Sequence, residues 1–110
     1  TLTVARRVRL RDGGGTPVRD SPHPDFGRFP NPNGIAVSAL GYLLTANGGT
    51  DDVSIVDLRA AFAGDAGAEI ARVPTQSGGF GVSVSPDGRL AAVAARESMR
   101  TGAFGNTVSL

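Results

Sequence analysis

The sequence predicts an all-β fold, and three observations lead there. Sixteen glycines and seven prolines in 110 residues give too much backbone punctuation for a helical bundle and suit short strands joined by turns. Apolar and small or polar residues alternate with period two at Ile35-Ala36-Val37-Ser38 and at Val82-Ser83-Val84-Ser85. The third observation is an internal repeat: residues 34–43 align with residues 81–90 at a constant offset of 47, with Gly, Val, Ser, Gly and Leu coinciding.

Each element follows from its residues. Strands are expected at 34–38 and 81–85. Ser85-Pro86-Asp87-Gly88 carries Pro, Asp and Gly at successive turn positions, so it should reverse the chain into a hairpin. In the other copy the turn has decayed to Ser38-Ala39-Leu40-Gly41, which keeps the glycine that tolerates positive φ. Third and fourth strands are expected at Val53–Val56 and Glu69–Val73, the latter ending at Pro74. Asp52-Val53-Ser54-Ile55 matches Thr107-Val108-Ser109-Leu110 at an offset of 55, and the eight extra residues are assigned to the polar stretch from Arg96 to Asn106. Leu2-Thr3-Val4 resembles Val53-Ser54-Ile55 again, so the chain is expected to open on a third strand. Leu90–Ala94 is rich in helix formers, yet its repeat counterpart is β-like, which favours strand. Asp57 to Gly64 reads as a short helical turn, capped by Asp57 and stopped by Gly64.

Composition removes many chemistries. The absence of cysteine excludes disulfides, thiolate metal sites and thiol nucleophiles, and one histidine excludes a site of several histidines within this chain. A formal net charge of +1 argues against a general nucleic-acid surface, and no apolar run is long enough to cross a bilayer. All 11 basic residues are Arg, a pattern expected from genome composition. Neither glycine cluster has the spacing of a nucleotide-binding loop, and no Gly-x-Ser-x-Gly elbow is present.

Four-stranded units of this length are the blades of β-propellers. Pro32-Asn33-Gly34-Ile35-Ala36-Val37-Ser38, Leu43-Leu44-Thr45-Ala46-Asn47 and Asp52-Val53-Ser54-Ile55-Val56-Asp57 resemble a blade of the YVTN family, which is related to lactonase-type propellers. The second copy is similar, with Ala94 where the motif has Asn. The resemblance implies a partial propeller of four-stranded antiparallel blades from a seven-bladed parent. Residues 1–33 would be the end of a preceding blade plus a connection, 34–73 a complete blade and 74–110 most of the next. A propeller of about 4 to 8 blades needs more than 110 residues, so the chain is expected to be a fragment. Its partners would be the remaining blades or other chains completing the ring. The resemblance also implies a periplasmic or secreted location. For function it implies a rigid scaffold or binding module; the enzyme alternative is part of a lactonase-like hydrolase or propeller-containing oxidoreductase whose active site lies mostly elsewhere.

The motif residues Gly34, Asn47, Asp57, Gly81, Asp87 and Gly88 have structural readings. Gly34 and Gly81 should permit close approach between blades, and Asn47 and Asp57 should accept hydrogen bonds from turn amides. No catalytic or cofactor-binding residue is singled out. Asp20, His23 and Asp25 are weak metal candidates in a proline-rich loop, and Asp51, Asp52 and Glu97 a weak calcium set. Arg7, Arg9 and Arg11 would share one face of an edge strand, where charge resists aggregation and a phosphate site is the alternative.

Overall fold

The alternating segments form strands, and the order of pairing is the order of the chain. A computed structural model describes residues 3–12, 28–98 and 102–110. Strands β1 (Pro32–Val37), β2 (Tyr42–Asn47), β3 (Asp52–Asp57) and β4 (Glu69–Pro74) make an antiparallel sheet in the order β1-β2-β3-β4. Strands β5 (Gly79–Val84), β6 (Ala91–Ala95) and β7 (Val108–Ser109) make a second, three-stranded antiparallel sheet. Among the described residues one helix, α1 (Leu58–Ala63), joins β3 to β4. The chain is therefore mostly β, and residues 91–95 are strand despite their helix-forming composition.

Local chemistry sets the turns. Ser38 carbonyl accepts from Gly41 N–H at 3.0 Å, and Ser85 carbonyl accepts from Gly88 N–H at 2.8 Å. Both glycines are left-handed, with φ of 87° and 74°, so each turn uses its glycine in the same way. Asp57 caps α1 by accepting from Ala60 N–H at 3.1 Å, and Gly64 closes the helix with φ of 83°.

The repeat extends to the irregularities. A bulge interrupts pairing between Pro32 and Gly34 in the first sheet and between Gly79 and Gly81 in the second, again 47 residues apart. Asn31 and Gly78, at the same offset, both have positive φ. The slip is distributed differently from the sequence expectation. Gly34 pairs with Ala46 whereas Gly81 pairs with Ala94, an offset of 48 on the second strand. One extra residue therefore lies in the β5–β6 hairpin and seven in the following loop, and the counterpart of Asn47 is Ala95, not Ala94. Residues 3–12 also depart from expectation: they form no regular strand, and the Arg11 backbone N–H donates to the Glu69 carboxylate instead of a strand ladder.

The two sheets pack face against face with β1 over β5. Leu44, Ala46 and Val53 of the first sheet and Val93 of the second are buried together, and Val82, Val84 and Ala91 pack on them. Burial of each large side chain here stabilises by about 1.5–3 kcal/mol. On the opposite face of the first sheet Val56 joins Ala61 and Ala68, covered by Leu10 and Leu43. Period two explains the division, since Leu44 and Ala46 point to one side and Leu43 and Thr45 to the other.

Gly34 sits at the closest approach. A Cβ there would stand 2.6 Å from Phe80 carbonyl oxygen and 3.0 Å from Gly81 Cα, so any side chain pushes the sheets apart. Gly81, its repeat counterpart, would place a Cβ in open space. Gly34→Ala is expected to destabilise the chain by about 1–3 kcal/mol, whereas Gly81→Ala should leave stability unchanged or raise it by about 0.4–1 kcal/mol. Urea denaturation of the two variants checks the contrast, and equal losses would contradict the packing described.

Candidate functional site

A cluster of buried polar residues lies near the end of the sheets where β2 turns into β3. Asn47 and Asp52 pair across that turn, and both side chains point to the face away from the second sheet. Asn47 is fully buried and saturated: its Oδ1 accepts from Thr45 Oγ1 at 2.9 Å, and its Nδ2 donates to Asp52 Oδ1 at 2.7 Å and Ser54 Oγ at 2.8 Å. Asp52 Oδ1 also accepts from Thr50 Oγ1 at 2.8 Å, and Asp52 Oδ2 lies 3.6 Å from Arg72 Nη1. Asn47 thus bonds to side chains rather than to turn amides, and the Gly48 and Gly49 N–H groups donate instead to the Asn31 and Pro30 carbonyls.

The network continues outward along β4. Arg72 donates to Glu69 Oε1 from Nε at 2.9 Å and Nη2 at 2.6 Å, a two-pronged grip of the kind that makes Arg pairs strong. Glu69 Oε2 accepts from the Arg11 backbone N–H at 2.6 Å and Arg11 Nε at 3.2 Å, while Arg72 Nη2 donates to Arg11 carbonyl at 2.7 Å. Burial alone raises the Glu69 carboxyl, but the Arg11 amide, the Arg72 guanidinium and the Ser54 hydroxyl together outweigh it, so its pKa lies below the ordinary value. The second sheet lacks this assembly: Val93, Ala95 and Thr107 stand where Thr45, Asn47 and Asp52 stand, and Thr107 Oγ1 is buried without a hydrogen-bond partner.

A second polar joint ties the sheets together. Asp51, left-handed at φ 56°, accepts from Gly78 N–H at 2.7 Å through Oδ1 and from the fully buried Ser98 Oγ at 2.6 Å through Oδ2. Thr75 N–H donates to Asp51 carbonyl at 2.9 Å. The β2–β3 turn therefore holds both the approach to β5 and the seven-residue insertion after β6.

The sequence candidates fall out as follows. Asp20, His23 and Asp25 lie outside the described residues. Asp51, Asp52 and Glu97 do not come together: Asp51 faces the second sheet and Asp52 the opposite side, and among the described residues no group of three acids or histidines could hold a metal. Asp87 is engaged in its turn, accepting from Ser85 Oγ at 2.6 Å and Arg89 N–H at 3.2 Å, contacts that hold its carboxyl below the ordinary range. The expected Arg7, Arg9 and Arg11 stripe is broken. Arg11 turns to Glu69 and Arg6 donates to Phe62 carbonyl at 3.2 Å, while residues 4–12 and α1 border an open groove of about 850 Å³.

Sequence reasoning did not single out the aromatic surface at the same end. Phe29, Phe80 and Phe104 are exposed, Phe104 to 82%, while the core is built from Val, Ala and Leu. The Arg28 guanidinium lies 5.2 Å from the Phe29 ring centroid and that of Arg96 5.1 Å from the Phe80 centroid. The strand alternation carried no signal for it, since these residues lie at strand ends and in the inserted loop. Arranged this way, the end of the sheets offers aromatic faces edged with positive charge, and its carboxylates are occupied internally.

A solved structure of Kuenenia stuttgartiensis hydrazine synthase, a protein that contains β-propeller domains, is similar to 74% of this chain at 25% identity and a TM-score of 0.50. The match covers 28% of that chain, so this sequence corresponds to little more than a quarter of it. No family model matches the chain, and no curated protein matches it in sequence.

The Glu69 network has a testable pH signature. An unfolded Glu69 takes up its proton near pH 4.5, whereas the folded one holds off protonation to lower pH. Its contribution is therefore complete above the unfolded value and is lost as pH falls through the folded one. Glu69→Gln should cost about 1–3 kcal/mol at pH 7, and the gap from wild type should narrow as pH falls below 4.5. Urea titrations at several pH values measure it; a gap independent of pH would contradict the assignment.

Proposed function

We propose that the chain is a two-sheet part of a YVTN-like β-propeller that serves as a rigid scaffold and presents a binding surface at the end where β2 meets β3. The observation that carries this reading is the division of side chains. Asn47, Asp51 and Asp52 near that end are spent on internal bonds, while Phe29, Phe80 and Phe104 face solvent. Exposed aromatics edged with Arg are the composition of recognition surfaces, and in the hydroxyl–carboxylate pairs at this end, Ser98 with Asp51 and Thr50 with Asp52, the hydroxyl residues are buried. The ligand class they suit is an anionic, ring-bearing molecule or a protein segment carrying aromatic and acidic side chains.

The free faces support the propeller part of the reading. Ile35 and Val37 are 66% and 61% exposed, although their counterparts Val82 and Val84 pack on the neighbouring sheet. Both ends of the two-sheet stack thus expose surfaces that, between the sheets, are covered. Further blades of the same kind would cover them, and the reading includes a periplasmic or secreted location, which the YVTN resemblance of the sequence favours.

The similarity to part of hydrazine synthase favours one second reading, in which the propeller is carried by an enzyme whose reacting centre lies beyond these 110 residues. Two measurements on the chain test the scaffold reading. Anilinonaphthalene sulfonate, an anionic aromatic dye, should bind with an affinity reduced at least about tenfold by Phe104→Ala or Arg96→Ala, with circular dichroism unchanged. Hydrolysis of a simple lactone should stay at the uncatalysed rate with and without calcium; turnover lost on His23→Ala would overturn it in favour of an enzyme.

A further inference from the structure

The loop between β6 and β7 exceeds the turn between β2 and β3 by seven residues, since Val53 pairs with Ala46 whereas Val108 pairs with Ala94. The added chain continues the ladder of β6. Glu97 bridges Phe104, Ser98 N–H donates to the Ala103 carbonyl at 2.9 Å, Gly102 N–H donates to the Ser98 carbonyl at 2.8 Å, and Gly105 N–H donates to the Arg96 carbonyl. The exposed Phe104 therefore stands on the rung between those of Arg96 and Ser98.

The base of this hairpin is fixed from two sides. Within the second copy, Arg96 N–H donates to the Gly78 carbonyl at 2.8 Å, and no side chain fits at Gly78 beneath the Glu97 carbonyl or at Gly105 between Ser77 and Ala95. The other tie comes from the first sheet. Asp51 Oδ2 accepts from the fully buried Ser98 Oγ at 2.6 Å while its Oδ1 accepts from Gly78 N–H at 2.7 Å, bonds that a charged acceptor makes strong and directional. Asp51 is itself held: its carbonyl accepts from Thr75 N–H at 2.9 Å, and the next residue, Asp52, is bound by Asn47 and Thr50. Its left-handed backbone, at φ 56°, is an arrangement that persists where the surroundings over-determine it.

Resting on the binding-surface reading above, we propose that Asp51 is a positioning residue for that surface: from the first sheet it holds Ser98, and through Ser98 the rung that carries Phe104, so that the Phe104 ring and the Arg96 guanidinium meet an anionic, ring-bearing ligand in one fixed arrangement. Phe104 and Arg96 make the contacts. Asp51 and Ser98 make none, because Ser98 is buried and both carboxylate oxygens are engaged. The gain is preorganisation, since a hairpin already held in the bound arrangement loses less freedom when the ligand arrives. Arg96 is set at the same base, with its guanidinium 5.1 Å from the Phe80 centroid. The insertion supplies the aromatic residue, and a carboxylate 47 residues from Ser98 supplies its fixed point.

A double-mutant cycle on the affinity for anilinonaphthalene sulfonate tests this. Ser98→Ala should lower the affinity about fivefold with circular dichroism unchanged, and Asp51→Ala should do the same; should Asp51→Ala fail to fold, Ser98→Ala carries the test. Asp51→Asn should stay within about twofold of wild type, because its amide oxygen accepts from Gly78 N–H while its amide nitrogen donates to Ser98 Oγ. In a Phe104→Ala background Ser98→Ala should cost nothing further, since the clamp acts through that ring. The sequence has no tryptophan, so Phe104→Trp provides a single fluorescent reporter, whose anisotropy should fall when Ser98→Ala is added. Equal losses in the two backgrounds, an Asp51→Asn loss as large as that of Asp51→Ala, or an anisotropy that Ser98→Ala leaves unchanged overturns the proposal. The two readings fail separately. If Phe104→Ala weakens the dye and Ser98→Ala does not, only the positioning role falls; if Phe104→Ala itself leaves the affinity unchanged, the binding-surface reading falls and the positioning role with it.

Discussion

The backbone of β1 lies so close to the backbone of β5 that no side chain fits between them at Gly34. That approach determines much of what surrounds it. With the inner strands this near, the small residues Ala46, Val53 and Val93 fill the space behind them, and the half-buried Tyr42 packs on that cluster. Phe29, Phe80 and Phe104 are exposed. Asp51 fixes the separation from the β2–β3 turn, since its carboxylate can hold Gly78 and Ser98 together only when the sheets are at this spacing. A packing contact and a polar contact thus specify the same geometry from different places, which is the agreement between levels that marks a uniquely folded sequence.

The two faces of the first sheet are stabilised by different physics. Toward the second sheet, apolar burial is nondirectional and would tolerate small shifts of one sheet over the other. On the reverse face, Asn47, Asp52, Ser54, Glu69 and Arg72 are bonded in fixed directions, and a shift of β4 along β3 would break several of these bonds at once. A buried network is costly when half satisfied and specific when complete. Here it is complete around Asn47, and it pins the four-stranded register. The second sheet, with Val93 and Ala95 in the corresponding places, obtains its register from the Gly88 hairpin and from packing on the first sheet.

What could be read from the sequence was local or periodic. The glycine turns at 41 and 88, the Asp57 cap with the Gly64 stop, and the two copies of the strand pattern are each encoded within a few residues. The repeat also corrected local propensity at Ala91–Ala95, where alanines alone would have argued for helix. The single-residue slip in the second hairpin was hidden because Leu43 and Leu90 coincide at an offset of 47, although pairing places Ala91 opposite Val84 as Leu43 is opposite Val37. The polar network was illegible for a different reason. Glu69 meets Arg11 across 58 residues and Ser98 meets Asp51 across 47, distances at which sequence spacing carries no geometric information. The expected basic stripe failed on the same account, since Arg11 is drawn out of line by a carboxylate that only the fold brings near.

The contrast between the copies bears on how the chain is used. A symmetric repeat would place Asn, Asp and Arg on the reverse face of both sheets, yet the second sheet has Val93 and Ala95 there, against the apolar face of the first. The polar version is kept on the first sheet, where residues 10 and 11 cover the outer strands and Ile35 and Val37 leave the inner ones apolar. One face therefore carries two zones, a polar outer zone that holds the N-terminal segment and an apolar inner zone of the same shape as the one buried beside β5. Repeat proteins obtain stability from contacts between neighbouring units, so a terminal unit meant to face water carries a polar inner surface. Ile35 and Val37 show that the first sheet is not built as such a cap, and the open space over Gly81 shows the same for the second.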